Sequence, residues 1–126
     1  MPKILIVDDE PHIRLLLAQT LEDFEDKGVE ILSSGNGKEA LEIIKKEKPD
    51  IVYLDVMMPG INGYDVCNIV KNELKLNVFI VMLTAKGQEF DKIKGKQVGA
   101  DIYMTKPFNP DTIIEKTATV LGINIK

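Results

Sequence analysis

The chain has 126 residues, with 20 acidic against 16 basic side chains, a net charge of −4 and one cysteine. That length suits a single domain over 1–126, which at this size buries roughly two-thirds of its unfolded surface and needs no disulfide. The mild acidity argues against a nucleic-acid-binding face, no apolar run is long enough for a membrane span, and no signal-peptide pattern precedes the first strand. The cytoplasm is therefore the expected location.

Apolar, β-rich stretches alternate five times with amphipathic ones. Strands are predicted at about 3–7, 29–34, 51–55, 78–83 and 102–105, and helices at about 11–25, 37–47, 63–73, 88–98 and 110–121. The first, third and fourth strands are almost continuously apolar, as parallel strands covered on both faces should be. In the first helix Ile13, Leu16, Leu17, Thr20, Leu21 and Phe24 recur at helical spacing. In the second Ala40, Leu41, Ile43 and Ile44 do so, and Pro49 forbids its continuation. The fourth helix carries Gly95 and the exposed-looking lysines Lys92, Lys94 and Lys96, which suit a solvated face. The fifth opens on Asn109-Pro110-Asp111, a cap followed by proline at the first helical position. Cys67 falls in the third helix and is expected to be a buried thiol.

Alternating βα units of this length predict an α/β fold, a flavodoxin-like doubly wound five-stranded parallel sheet of order 2-1-3-4-5 with five helices. That order turns a scattered set of polar residues into a site. Asp8 and Asp9, Asp55, Thr84 and Lys106 each stand at the C-terminal end of an apolar run. Ligands of open α/β sheets bind at that edge, beside the point where strand order reverses. Carboxylates crowded there repel by about 4 kcal/mol per pair at ~4 Å, so they call for a cation. Oxygen donors without histidine or cysteine suit Mg²⁺, or Mn²⁺, rather than zinc, and the backbone carbonyl of Met57 is the natural further ligand. For Asp8 and Asp9 alone, capping of the first helix is the competing reading, since Pro11 follows at a helix-opening position.

The stretches ILIVDDE, DIVYLDVMMPGINGYD, VMLTAK and GADIYMTKPF closely resemble the receiver domain of two-component response regulators, the chemotaxis-protein type included, over essentially the whole chain. The resemblance implies that Asp55 is the phosphoacceptor and that Asp8 and Asp9 hold Mg²⁺. It makes Thr84 the switch hydroxyl, Lys106 the phosphate-contacting lysine, Tyr103 the switch aromatic and Lys106-Pro107 a cis peptide. It also implies a signalling switch rather than a turnover enzyme, with a sensor histidine kinase or phosphotransfer protein as donor and an effector protein or domain downstream. Asp55 is then expected to be ionised at neutral pH and to attack phosphorus without a general base. Met57 and Lys86, two residues beyond Asp55 and Thr84, are expected to overhang the path of a hydrolytic water and set signal lifetime. His12, the only histidine, is expected on the surface beside the kinase interface.

A flavodoxin needs a phosphate loop where this chain has the acidic DDEPH, and a dehalogenase-type phosphatase normally carries an acid where Met57 stands. An interaction domain that keeps only the fold would not require all five site residues. The chain has Asp101-Ile102-Tyr103 where many winged-helix regulators carry two acids before the aromatic, and its fifth helix lacks arginine. Those departures favour a stand-alone monomer over the charged dimer of such regulators, with dimerisation on phosphorylation as the alternative.

Overall fold

A computed structural model describes residues 1–85 and 91–125. Its five strands are β1 (Lys3–Val7), β2 (Glu30–Ser34), β3 (Ile51–Asp55), β4 (Phe79–Ala85) and β5 (Ile102–Lys106). They form one parallel sheet in the order β2-β1-β3-β4-β5. The helices are α1 (Pro11–Thr20), α2 (Gly37–Glu47), α3 (Gly63–Asn68), α4 (Lys92–Gln97) and α5 (Pro110–Leu121). The predicted architecture is the one observed. Among the described residues no helix is long and apolar enough to cross a membrane.

The side-chain alternation of the strands divides the core in two. On one face Leu5, Val7, Val52, Leu54, Ile80 and Met82 pack under α2 and α3. On the other Ile4, Ile6, Ile51, Tyr53, Val81 and Leu83 meet Leu17, Leu21 and Phe24 from the α1 segment and Ile113 from α5. Tyr53 is fully buried, and its hydroxyl shares a hydrogen bond with Thr117 of α5. Burial pushes that phenol up to about 12. The two edge strands differ from the central three. In β5 partly buried and exposed residues alternate until Lys106, which is buried.

Helix ends follow the expected chemistry in most places. Asn36 caps α2 by accepting from the Glu39 amide, Asn109 accepts from the Asp111 amide, and Asn62 and Asp65 form a reciprocal capping box on α3. The first helix departs from prediction. It stops at Thr20 rather than near 25, and a 3₁₀ segment (Glu22–Lys27) follows, closed by Gly28 at φ 84°. Phe24 in this segment is buried, whereas Leu16 of α1 is 46% exposed beside Leu15 at 60%. α3 ends in a π turn (Ile69–Glu73) that buries Val70. α4 is shorter than its predicted span, opening after Asp91, and the predicted positions 88–90 lie outside the described residues. The β5 strand is anchored at its start, where the Asp101 carboxylate accepts the Ile80 amide at 2.8 Å and pairs with Lys71 at 2.8 Å.

Candidate functional site

Register brings the predicted residues together. Val7 stands opposite Leu54 and Asp55 opposite Leu83, so Asp8, Asp55 and Thr84 emerge side by side where β1, β3 and β4 end. Ala85 pairs with Lys106, which carries β5 to the same edge. The Lys106–Pro107 peptide bond is cis.

At the centre lies the Lys106 ammonium. It donates to Asp8 Oδ2 at 3.0 Å and to Asp55 Oδ1 at 3.4 Å, with Glu10 Oε1 at 3.9 Å. All three members of the central trio, Lys106, Asp8 and Asp55, are buried. Burial alone would lower the lysine, but the hydrogen bond to Asp8 and the charges of Asp55 and Asp8 outweigh it, and its net shift is upward. Asp55 moves the other way from an ordinary carboxylate. Burial, then the charge of Asp8, raise it to about 7, helped by the Asp9 carboxyl and opposed by Lys106 and the Met57 amide. Met57 N–H donates to Asp55 Oδ1 at 3.3 Å. Burial and the neighbouring Asp8 carboxylate thus work against the full ionisation expected of Asp55.

Asp8 is held through its side chain and its backbone. Its Oδ1 accepts the Glu10 amide at 2.9 Å, its amide donates to Ser34 O at 3.2 Å, and its carbonyl accepts Arg14 Nη1 at 2.6 Å. Neither Asp8 nor Asp9 caps α1, because the N-cap residue is Glu10, whose side chain makes no capping bond. Asp8, Asp9 and Glu10 each present a carboxylate oxygen within 4.8 Å of the others. Among the described residues the Lys106 ammonium reaches Asp8 and Glu10 of this group, and a hard divalent cation with oxygen ligands fits the donor set.

Thr84 is buried at the end of β4. Tyr103 sits opposite Met82, which places it on the α4 face of the sheet. It is 41% exposed, and Lys92 Nζ lies 5.9 Å from its ring centroid. Lys94 likewise covers the Tyr64 ring at 4.7 Å, so two of the exposed α4 lysines lie over aromatic rings. Met57 is 55% exposed beside Asp55. Lys86 lies outside the described residues. His12 is on the surface, 3.4 Å from the Glu10 carboxylate. Cys67 is buried with its thiol against Val98 O at 3.3 Å, and burial pushes it up to about 12.

Sequence reasoning missed three participants. Glu10 was visible as the third acid of the DDE run. Arg14 had no signal beyond its place on α1. Gly63 sits so close to β3 that a Cβ there would lie 2.4 Å from the Asp55 carbonyl oxygen.

The chain is 44% identical over 119 residues to the alkaline phosphatase synthesis transcriptional regulatory protein PhoP of Bacillus subtilis, covering 94% of this chain and 48% of that one. It is also 44% identical over 119 residues to the phosphate regulon transcriptional regulatory protein PhoB of Pseudomonas aeruginosa, covering 94% and 51%. The chain spans about half the length of these curated relatives. Among solved structures, the chemotaxis protein CheY4 of Vibrio cholerae superimposes with a TM-score of 0.81 at 35% identity, covering 95% of this chain and 98% of that one. Residues 4–118 match the model of the response regulator receiver domain, and with the strand order and converging acids described above, the chain belongs to that family.

Proposed function

We propose that the chain accepts a phosphoryl group onto Asp55 from a phosphohistidine of a sensor histidine kinase or phosphotransfer protein. The Asp55 carboxylate oxygen forms the new P–O bond as the P–N bond of the donor breaks, and the leaving imidazole takes up a proton. The observation that carries this reading is the buried Lys106 ammonium held between Asp8 and Asp55 at the end of the central strands. It is placed to neutralise charge on the transferring group, so the protein's contribution is positioning and electrostatics.

Asp8 and Asp9 would hold Mg²⁺ (or Mn²⁺) together with Asp55 and the Met57 carbonyl; the bound ion supplies positive charge for the incoming phosphate oxygens. Thr84 then donates its hydroxyl to a phosphoryl oxygen, and Tyr103 follows it on the same face of the sheet. The α4–β5–α5 surface carries the changed shape to an effector. That effector is a partner protein if this receiver acts alone in the cytoplasm, as a monomer. It is a further domain if the chain resembles its longer transcriptional relatives throughout, and a phosphorylation-dependent dimer belongs to that arrangement.

Incubated with Mg²⁺ and a small acyl phosphate, the native chain should gain one phosphoryl group by intact-mass analysis and Asp55→Asn none. A phosphorylated Asp55→Asn, or a native chain that stays unmodified, would refute the assignment. Met57 is proposed to shield the phosphoryl group, because its half-exposed apolar side chain stands where a polar one could orient water. Met57→Asn should shorten the phosphoryl half-life several-fold, within the 10²–10⁴-fold scale of positioned proton transfer. An unchanged half-life counts against that role.

A further inference from the structure

Outside the central trio, one set of contacts joins the phosphoacceptor strand to α4 without passing through Thr84 or Tyr103. It begins at β3. The Gly63 amide donates to Val56 O at 2.9 Å, and the absence of a side chain lets the head of α3 lie against the Asp55–Val56 backbone. The capping box formed by Asn62 and Asp65 fixes that first turn. The next residue, Tyr64, is buried and reaches α4 with its hydroxyl, which accepts the Asp91 amide at 3.1 Å. Asp91 is the N-cap of α4 and accepts the Lys94 amide at 2.9 Å, and Lys94 returns its ammonium to the Tyr64 ring.

α4 depends on these contacts more than a long helix would. It has six residues with Gly95 among them, and isolated helices of that length are not stable in water. Its far end is held by Val98 in the core and by Asn72 Nδ2 donating to Gln97 O at 3.0 Å, and its first turn by the Tyr64 and Asp91 contacts. We propose that Tyr64 is a positioning residue: its hydroxyl latches the start of α4 to the backbone that carries Asp55, giving the phosphoacceptor a second connection to the output face. The latch stabilises the position of α4 described above. Movement of α4 on phosphorylation must weaken it, and by reciprocity a weakened latch makes phosphorylation easier. This second step rests on the receiver reading above; the latch itself does not.

Tyr64→Phe isolates the hydroxyl, because the ring and its contact with Lys94 remain. In native-state hydrogen exchange, the amides of Gly95 and Val98, bonded to Asp91 O and Lys94 O, should exchange roughly tenfold faster, the loss expected from one neutral hydrogen bond. The amides of β1 and β3 should keep their protection. Phosphorylation by a small acyl phosphate should be about two- to fivefold faster than in the native chain. Unchanged α4 exchange overturns the latch. Faster α4 exchange with an unchanged phosphorylation rate overturns the connection to Asp55 and leaves a packing contact. A native chain that takes no phosphate refutes the receiver reading, while the exchange rates still decide the latch.

Discussion

Gly63→Ala should lower stability by about 3 kcal/mol or more, which for a domain of this size is a fall of roughly 10 °C in Tm. Helix propensity predicts the opposite sign, since alanine is about 1 kcal/mol better than glycine inside a helix. The geometry overrules propensity. A Cβ at position 63 would meet Asp55 O at 2.4 Å and Val56 Cα at 2.9 Å, and both atoms belong to backbone that cannot step aside. Gly37 shows the same pattern against Ile61 O at 2.5 Å. Gly60 supplies the control, because its φ of +74° strains any side chain but nothing lies within 4 Å of an added Cβ. Gly60→Ala should cost only about 1 kcal/mol, the ordinary penalty of a left-handed conformation. Thermal melts of the two variants decide the matter, and a Gly63→Ala melt within 3 °C of native sinks it. Relief of the clash would push the Asp55 peptide outward, so the variant should also take up phosphate more slowly.

Lys106→Met should be destabilised in a strongly pH-dependent way. Methionine keeps much of the aliphatic bulk and removes the charge, leaving the Asp8 and Asp55 carboxylates facing each other. Breaking a buried pair from one side costs about 3–5 kcal/mol when the remaining charge has no escape. Here the escape is a proton on Asp55. In the native chain its folded value is already raised to about 7, and losing the opposing lysine charge moves it higher. A raised carboxyl means that the folded state binds more protons than the unfolded one across that interval. Stability therefore falls as pH rises from about 4 through the folded value. The native metal-free chain should show this slope up to about pH 7, and Lys106→Met should show it further. Against native, the expected loss is under about 1 kcal/mol at pH 5 and about 3 kcal/mol at pH 8. Adding Mg²⁺ should recover part of the loss at pH 8 and little at pH 5, where protons compete for the acids. Urea titrations at the two pH values test it, and equal losses at both would refute the charge argument.

Much of this site is readable from one sequence because a buried parallel sheet leaves few choices. Central strands must be apolar along their whole length, so the first polar residue after each run marks where the strand leaves the core. Asp8, Asp55 and Thr84 were found that way, and strand order then required them to meet. What could not be read depends on packing rather than pattern. Leu16 follows the helical period, yet so do Leu17, Leu21 and Phe24, and only packing shows that the latter set meets the sheet. Gly63 looks like a turn residue in the sequence, and only the approach of α3 to β3 shows why no larger residue fits. The ordinary acidity of Asp55 predicts full ionisation, and only the fold shows the burial and the nearby Asp8 carboxylate that push it upward. The link from Tyr64 to Asp91 spans 27 positions and has no periodic signature.

The single cysteine has a practical consequence. Cys67 lies on the buried side of α3 with its thiol held protonated by burial, so maleimides and methanethiosulfonates will meet no competing thiolate on the native fold. One cysteine placed on the outer side of α4 would then report that helix alone. Spin labels or fluorophores can follow its motion without first rebuilding the core.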